Sequence, residues 1–199
     1  GSTLVGQGKN RQALEAFAES ERIYRALGDE RWWLPYSIAM QALPANLLGD
    51  FELGKRKSQE AQELAEGNNL ALAMISGVMG YFELLVSQDP QAARATIQRS
   101  AGYAQATGYQ WAIQMANNAL GRVSAYEKQW EEGRCYFMAA QAGFQEIGDV
   151  FFQNMARSEQ AHLERHMGDL ETALALYRQC LPIWREVGHK AAVAHEIEC

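Results

Sequence analysis

Residues Gly108–Asp149 read GYQWAIQMANNALGRVSAYEKQWEEGRCYFMAAQAGFQEIGD, and this stretch decides the fold. It holds two segments of helical length that meet at Lys128-Gln129, and glycine closes the second. The same plan recurs along the chain. Gly28, Gly67, Gly108, Gly148 and Gly188 are spaced by 39, 41, 40 and 40 residues. A fixed period near 40 is the signature of a solenoid built from paired helices. A second set of turns interleaves with the first, at Gly8-Lys9, Gly49-Asp50, Gln88-Asp89, Lys128-Gln129 and Gly168-Asp169.

The segments between turns fit helices, and few β-branched runs compete. Each of the five periodic glycines falls where a helix ends in a left-handed residue, which glycine adopts without a Cβ clash. Asp89-Pro90 reads as a helix start, with the Asp capping and the Pro in the first turn. In the second helix of each pair, apolar and small residues step by 4, 3, 4, 3. Gly133, Phe137, Ala140, Phe144 and Ile147 do so, as do Ala173, Tyr177, Cys180, Trp184 and Val187, and Ala13, Phe17, Ser20, Tyr24 and Leu27. Such steps place five side chains on one helical face. Ala112, Ala116, Ala119, Val123 and Tyr126 form the matching stripe of a first helix.

The expected fold is therefore all-α, four to five helical hairpins in one array over 1–199, and the repeat family that the pattern resembles implies that they form a right-handed α-α superhelix. Pairs cover 30–66, 70–107, 110–147 and 150–187, with single helices at 10–27 and 190–199. The pair at 30–66 is irregular: its second helix is short, and Pro44 should kink the first. Pro182 should bend the last second helix. The opening Gly-Ser, residues 1–2, reads as a cloning scar, and both ends read as cut from a longer solenoid.

Composition narrows the function classes. The net charge is −6 and no basic run of five occurs, which disfavours nucleic acid. No apolar run approaches the ~20 residues needed to span a membrane. Cys135, Cys180 and Cys199 lack metal-ligand spacing, and three cysteines without a secretory signal suit a cytoplasmic location.

The repeat resembles the tetratricopeptide family in its roughly 40-residue form. The resemblance is carried by LGRVSAYEKQWEEGRCYFMAA at Leu120–Ala140 and HMGDLETALALYRQCLPIWREVG at His166–Gly188. Leu120-Gly121 matches the family's Leu-Gly. Gly133 and Ala173 match the first small position of the second helix, Phe137 and Tyr177 its aromatic, and Ala140 and Cys180 its second small position. The match weakens at 30–66, where Ser58 replaces the aromatic, and at Gly80-Tyr81, where Leu-Gly is missing. The arrays also resemble those of large bacterial signalling regulators.

The resemblance implies a concave groove lined by the first helices. By register its residues are Met74, Val78, Phe82 and Leu85, then Gln114, Asn118, Arg122 and Ala125, then Asn154, Ser158, His162 and Arg165. Such a groove is apolar towards its N-terminal half and polar, with positive charge, towards its C-terminal half. A peptide offering an apolar anchor to Met74, Val78 and Phe82 and a carboxylate to Arg122 and Arg165 would suit it. The plainer alternative makes Met74, Val78 and Phe82 core between repeats, and the arginines solvated surface. The family's carboxylate clamp for chaperone tails is missing, since Ala39, Leu43, Met79, Met115 and Ala119 stand at its places.

His162 and His166 lie four apart on one helix and could meet a cation, with Glu159 one turn earlier. No third ligand is evident, so no metal and no cofactor is expected. No phosphate loop, nucleophile elbow or paired cysteine motif occurs. The leading expectation is a non-enzymatic scaffold for a protein or peptide. Its rival is a small-ligand sensor that controls a linked ATPase or cyclase. Solenoid ends also expose apolar faces, which makes a homo-oligomer an expected state.

Overall fold

A computed structural model describes residues 4–5, 8–28, 33–84 and 88–198, apart from the side chains of 78, 81, 82, 191, 195 and 198. All regular structure among the described residues is helical. The chain divides into two compact units, Gly1–Tyr109 and Gln110–Cys199.

The first unit contains α1 (Asn10–Leu27), α2 (Trp33–Ala39), α3 (Ala42–Leu47), α4 (Phe51–Leu64), α5 (Asn69–Phe82) and α6 (Pro90–Thr107). Helix α4 packs on α2 and α3, α5 packs on α6, and α2 also touches α1 and α5. Leu34, Ile38, Ala61, Ala65, Ala71 and Ile75 form its buried cluster. The expected kink at Pro44 is instead a break. Met40 and Gln41 form a turn, and Pro44 falls in the first turn of α3. There its missing N–H costs no helical bond, so the interruption shifts upstream. Helix α4 spans 14 residues against 18 for α6, which is the shortening expected of this pair.

The second unit contains α7 (Gln110–Tyr126), α8 (Trp130–Glu146), α9 (Val150–Met167), α10 (Leu170–Glu186) and α11 (Lys190–Glu198). Each helix packs on the next, and α7 also touches α9. Helix α10 runs through Pro182.

Turn chemistry follows the sequence closely. Gly28, Gly67, Gly108, Gly148 and Gly188 all have positive φ, between 67° and 78°. Asp50, Asn68, Asp89, Asp149 and Asp169 accept backbone N–H bonds at helix starts. At the interleaved turns, Gly8, Gly49 and Gly168 have positive φ, and so do Gln88 (52°) and Lys128 (61°). A residue with a Cβ pays about 1–2 kcal/mol in this region. Lys128→Gly relieves that cost and adds chain entropy to the unfolded state, so the net expected gain is about 0.5–1 kcal/mol. Urea unfolding should show a higher midpoint at constant slope.

The stripes of α8 and α10 are buried except at their last step, while those of α1 and α7 also include the half-buried Ser20, Tyr24 and Ala119. Gly133, Phe137, Ala140 and Phe144 are buried, as are Ala173, Tyr177, Cys180 and Trp184. Ile147, Val187 and Leu27 are exposed by 41%, 51% and 71%. Ile147 and Val187 cap their helices and Leu27 is the last residue of α1, so the stripe runs off the helix there. The close seat of α7 on α8 comes from two glycines. A Cβ at Gly121 would enter the Phe137 ring, and one at Gly133 would lie 2.8 Å from Leu163 and 3.2 Å from the Gly121 carbonyl oxygen.

Candidate functional site

Helices α7 and α9 are buried on more than their apolar stripe. Helix α7 also buries Gln114, Asn118 and Ser124, and α9 buries Asn154, Ser158, Gln160 and Glu164. The reason is position: α7 contacts α8 and α9, while α9 contacts α7, α8 and α10. A polar residue on such a helix meets a neighbouring helix rather than water.

Several residues expected to line the groove are buried between helices. Gln114 is 8% exposed and lies over Gly143 of α8, where a Cβ would overlap its amide. It belongs to the α7–α8 seam, not to an open groove. Asn118 is 3% exposed, and its Oδ1 has no hydrogen-bond partner among the described residues. Asn154 is fully buried and donates to the Cys180 carbonyl at 3.3 Å. Ser158 is 9% exposed and donates to Glu196 of α11 at 2.5 Å. Arg122 is ion-paired with Glu159 of α9, so its charge is answered within the chain. Met74 and Ala125 are half-buried. The side chains of Val78 and Phe82, together with Leu85 and residues 1–2, lie outside the described residues.

The two histidines point to different helices. His162 shares a hydrogen bond of 2.6 Å with the Tyr177 hydroxyl of α10. His166 stacks on Trp130 of α8 at 6.4 Å and 9°. The described residues contain no group of three potential metal ligands. Arg165 is half-buried, and its Nε has no partner among the described residues.

Sequence reasoning missed the most strongly built ionic contact. Arg134 of α8 donates through Nε and Nη2 to both oxygens of Glu164, at 2.7 and 2.6 Å, and through Nη1 to Glu131. Glu164 is 1% exposed and also accepts from Gln160 at 3.2 Å. The guanidinium holds the Glu164 carboxyl below its usual range against the opposing effect of burial. The signal was available: Glu164 falls on the buried face of α9, and a carboxylate there requires a partner. In the first unit, Lys57 bridges Glu21 at 2.8 Å and Glu60 at 3.2 Å, and Arg25 pairs with the same two glutamates. Burial opposes ionisation of Glu21, but donors from Lys57, Gln41 and Arg25 outweigh it and lower its pKa.

Cys180 is fully buried, and its thiol is pushed up to about 12 by burial, with the nearby Glu196 charge adding to the shift. A thiol so placed stays protonated and inert at neutral pH. A shallow pocket of about 560 Å³ lies at the α7–α8 turn, lined by Lys128, Gln129, Trp130, Glu131, Glu132 and Met167. It is open on one side and is bordered by the Arg134–Glu131 pair.

One feature recurs along the second unit. Arg122 of α7 reaches Glu159 of α9, 37 residues on, and Ser158 of α9 reaches Glu196 of α11, 38 residues on. Alternate helices are thus tied by side chains at almost one repeat length.

No protein-family model matches the chain, and no curated protein resembles it in sequence. Among solved structures, BtubC (BKLC) from P. vanneervenii is similar in backbone. The TM-score is 0.73 at 15% identity, over 89% of this chain and 74% of that one. That likeness concerns the fold alone. Among the described residues, no helix is long and apolar enough to cross a membrane.

Proposed function

We propose that the chain is a tetratricopeptide-like right-handed solenoid that serves as a non-enzymatic, cytoplasmic binding scaffold for a protein or peptide in a larger signalling assembly. The observation that carries this reading is the tie between alternate helices at 37 and 38 residues. Helices linked in this way present successive faces at a regular interval, and such arrays bind extended ligands along those faces. The ligand is a peptide with an acidic group for Arg165, the half-buried cation of α9 whose Nε has no partner among the described residues. Arg122 contributes less, because a ligand must first compete with Glu159.

Panning a displayed peptide library on the full chain, followed by calorimetry, tests this. Acidic peptides should be enriched, and Arg165→Ala should weaken them by about tenfold or more while the melting temperature holds. Failure to enrich any peptide, or equal affinity for the variant, would refute the assignment.

A second reading rests on Asn118. A buried amide oxygen without a partner is completed by water or by a small polar ligand. Under that reading the chain senses a metabolite, and a thermal-shift screen would find a compound whose stabilisation is lost in Asn118→Leu.

A further inference from the structure

Helix α11 is held in an unusual way. It spans nine residues, a length at which an isolated helix is marginal in water. Tertiary contacts must therefore hold it. Among its described side chains, Glu196 is buried at 5%, Ala192 and Val193 are half-buried, and Ile197 is 62% exposed. Among these described side chains the most buried is a carboxylate.

That carboxylate enters a formed seat. Ser158 Oγ of α9 donates to Glu196 Oε1 at 2.5 Å, and Trp184 Nε1 of α10 donates to the same oxygen at 2.7 Å. Both donors are buried, at 9% and 3% exposure. The indole packs against Phe151 at 5.4 Å and 77° and against His189 at 5.3 Å and 53°. An indole N–H only donates, so it cannot be satisfied by the serine proton and requires an acceptor. The neighbouring Cys180 thiol stays neutral, and Arg157 lies close enough to act on it electrostatically.

We propose that Ser158 and Trp184 form a carboxylate seat that docks a glutamate-bearing helix, and that α11 occupies it in cis as an exchangeable latch. The partner it fits is a short helix with small or aliphatic residues four and three positions before the glutamate, as Ala192 and Val193 precede Glu196. This surface is distinct from Arg165 and does not depend on peptide binding there.

The test uses the full chain, with the Trp184 indole N–H resonance assigned through Trp184→Phe. The probe is a synthetic peptide of residues 189–199 carrying Cys199→Ser. In Glu196→Ala, α11 amides should lose exchange protection and the Trp184 resonance should move, while α7–α10 keep theirs. Adding the peptide should restore the resonance. A peptide with alanine at the glutamate should not, and Ser158→Ala in the same background should weaken the peptide by about tenfold. If Glu196→Ala does not fold, excess peptide added to the unaltered chain should still shift and broaden the Trp184 resonance through exchange with α11. Persisting protection of α11 in Glu196→Ala, or a Trp184 resonance indifferent to the peptide in either background, overturns the proposal.

Discussion

Arg134→Ala should lower the stability of the second unit by about 3 kcal/mol, because it strands a buried carboxylate. Glu164 is 1% exposed and takes both guanidinium bonds, so after truncation it retains the 3.2 Å bond from Gln160. The partner arginine is itself 29% exposed, which keeps the figure at the low end for a buried pair. Replacing both members with apolar residues, as in Arg134→Met with Glu164→Leu, should recover most of the loss, since no charge is then left buried. Urea denaturation of the three variants measures this. Acid gives a second readout. Arg134 holds the Glu164 carboxyl below the ordinary carboxylate range, so the pair's contribution is fully present above that range. It is lost as pH falls through the depressed native value, where the unfolded state binds more protons. The gap between the unaltered chain and Arg134→Ala should therefore close on acidification. A gap that stays constant from neutral to strongly acidic pH would show that the pair contributes nothing through charge.

Phe137→Ala should cost about 3–5 kcal/mol. The ring is 1% exposed and lies against Gly121, whose missing Cβ makes room for it. Truncation leaves a void that neither helix can fill, since α7 presents backbone there. Adding Gly121→Leu to Phe137→Ala should return about 1 kcal/mol by sending a side chain back into the void, whereas Gly121→Leu alone should destabilise by overpacking. Opposite signs for one substitution in two backgrounds would establish the complementarity of small and large across this seam. Equal signs would mean that the ring is not seated as described.

Much of the local structure was legible in the sequence because it depends on a few residues with narrow conformational preferences. The glycine period marked the left-handed turns at 28, 67, 108, 148 and 188, and Asp89 marked the start of α6. The stripe through Phe137 and Phe144 was legible because apolar residues declare burial directly. The polar faces of α7 and α9 were not. Gln114, Asn118, Asn154 and Ser158 read as solvent- or ligand-facing because hydrophobic periodicity registers only one kind of buried residue. Helices packed on several sides bury amides and hydroxyls too, provided that these find partners. The break between α2 and α3 escaped for another reason: a proline marks an irregularity without saying which side of it the helix gives way.

The keyed polar contacts bear on how such a chain can change over time. Asn154 answers the Cys180 carbonyl, Gln141 answers Gln160, and Arg134 answers Glu164. The α8–α9 and α9–α10 seams therefore each carry a lock cut for one particular neighbour. Duplicating or reordering whole pairs, an easy route to diversity when modules meet through generic oily faces, would here leave amides and a carboxylate facing strangers. The turns recur at a regular interval, but the helices between them are not interchangeable parts.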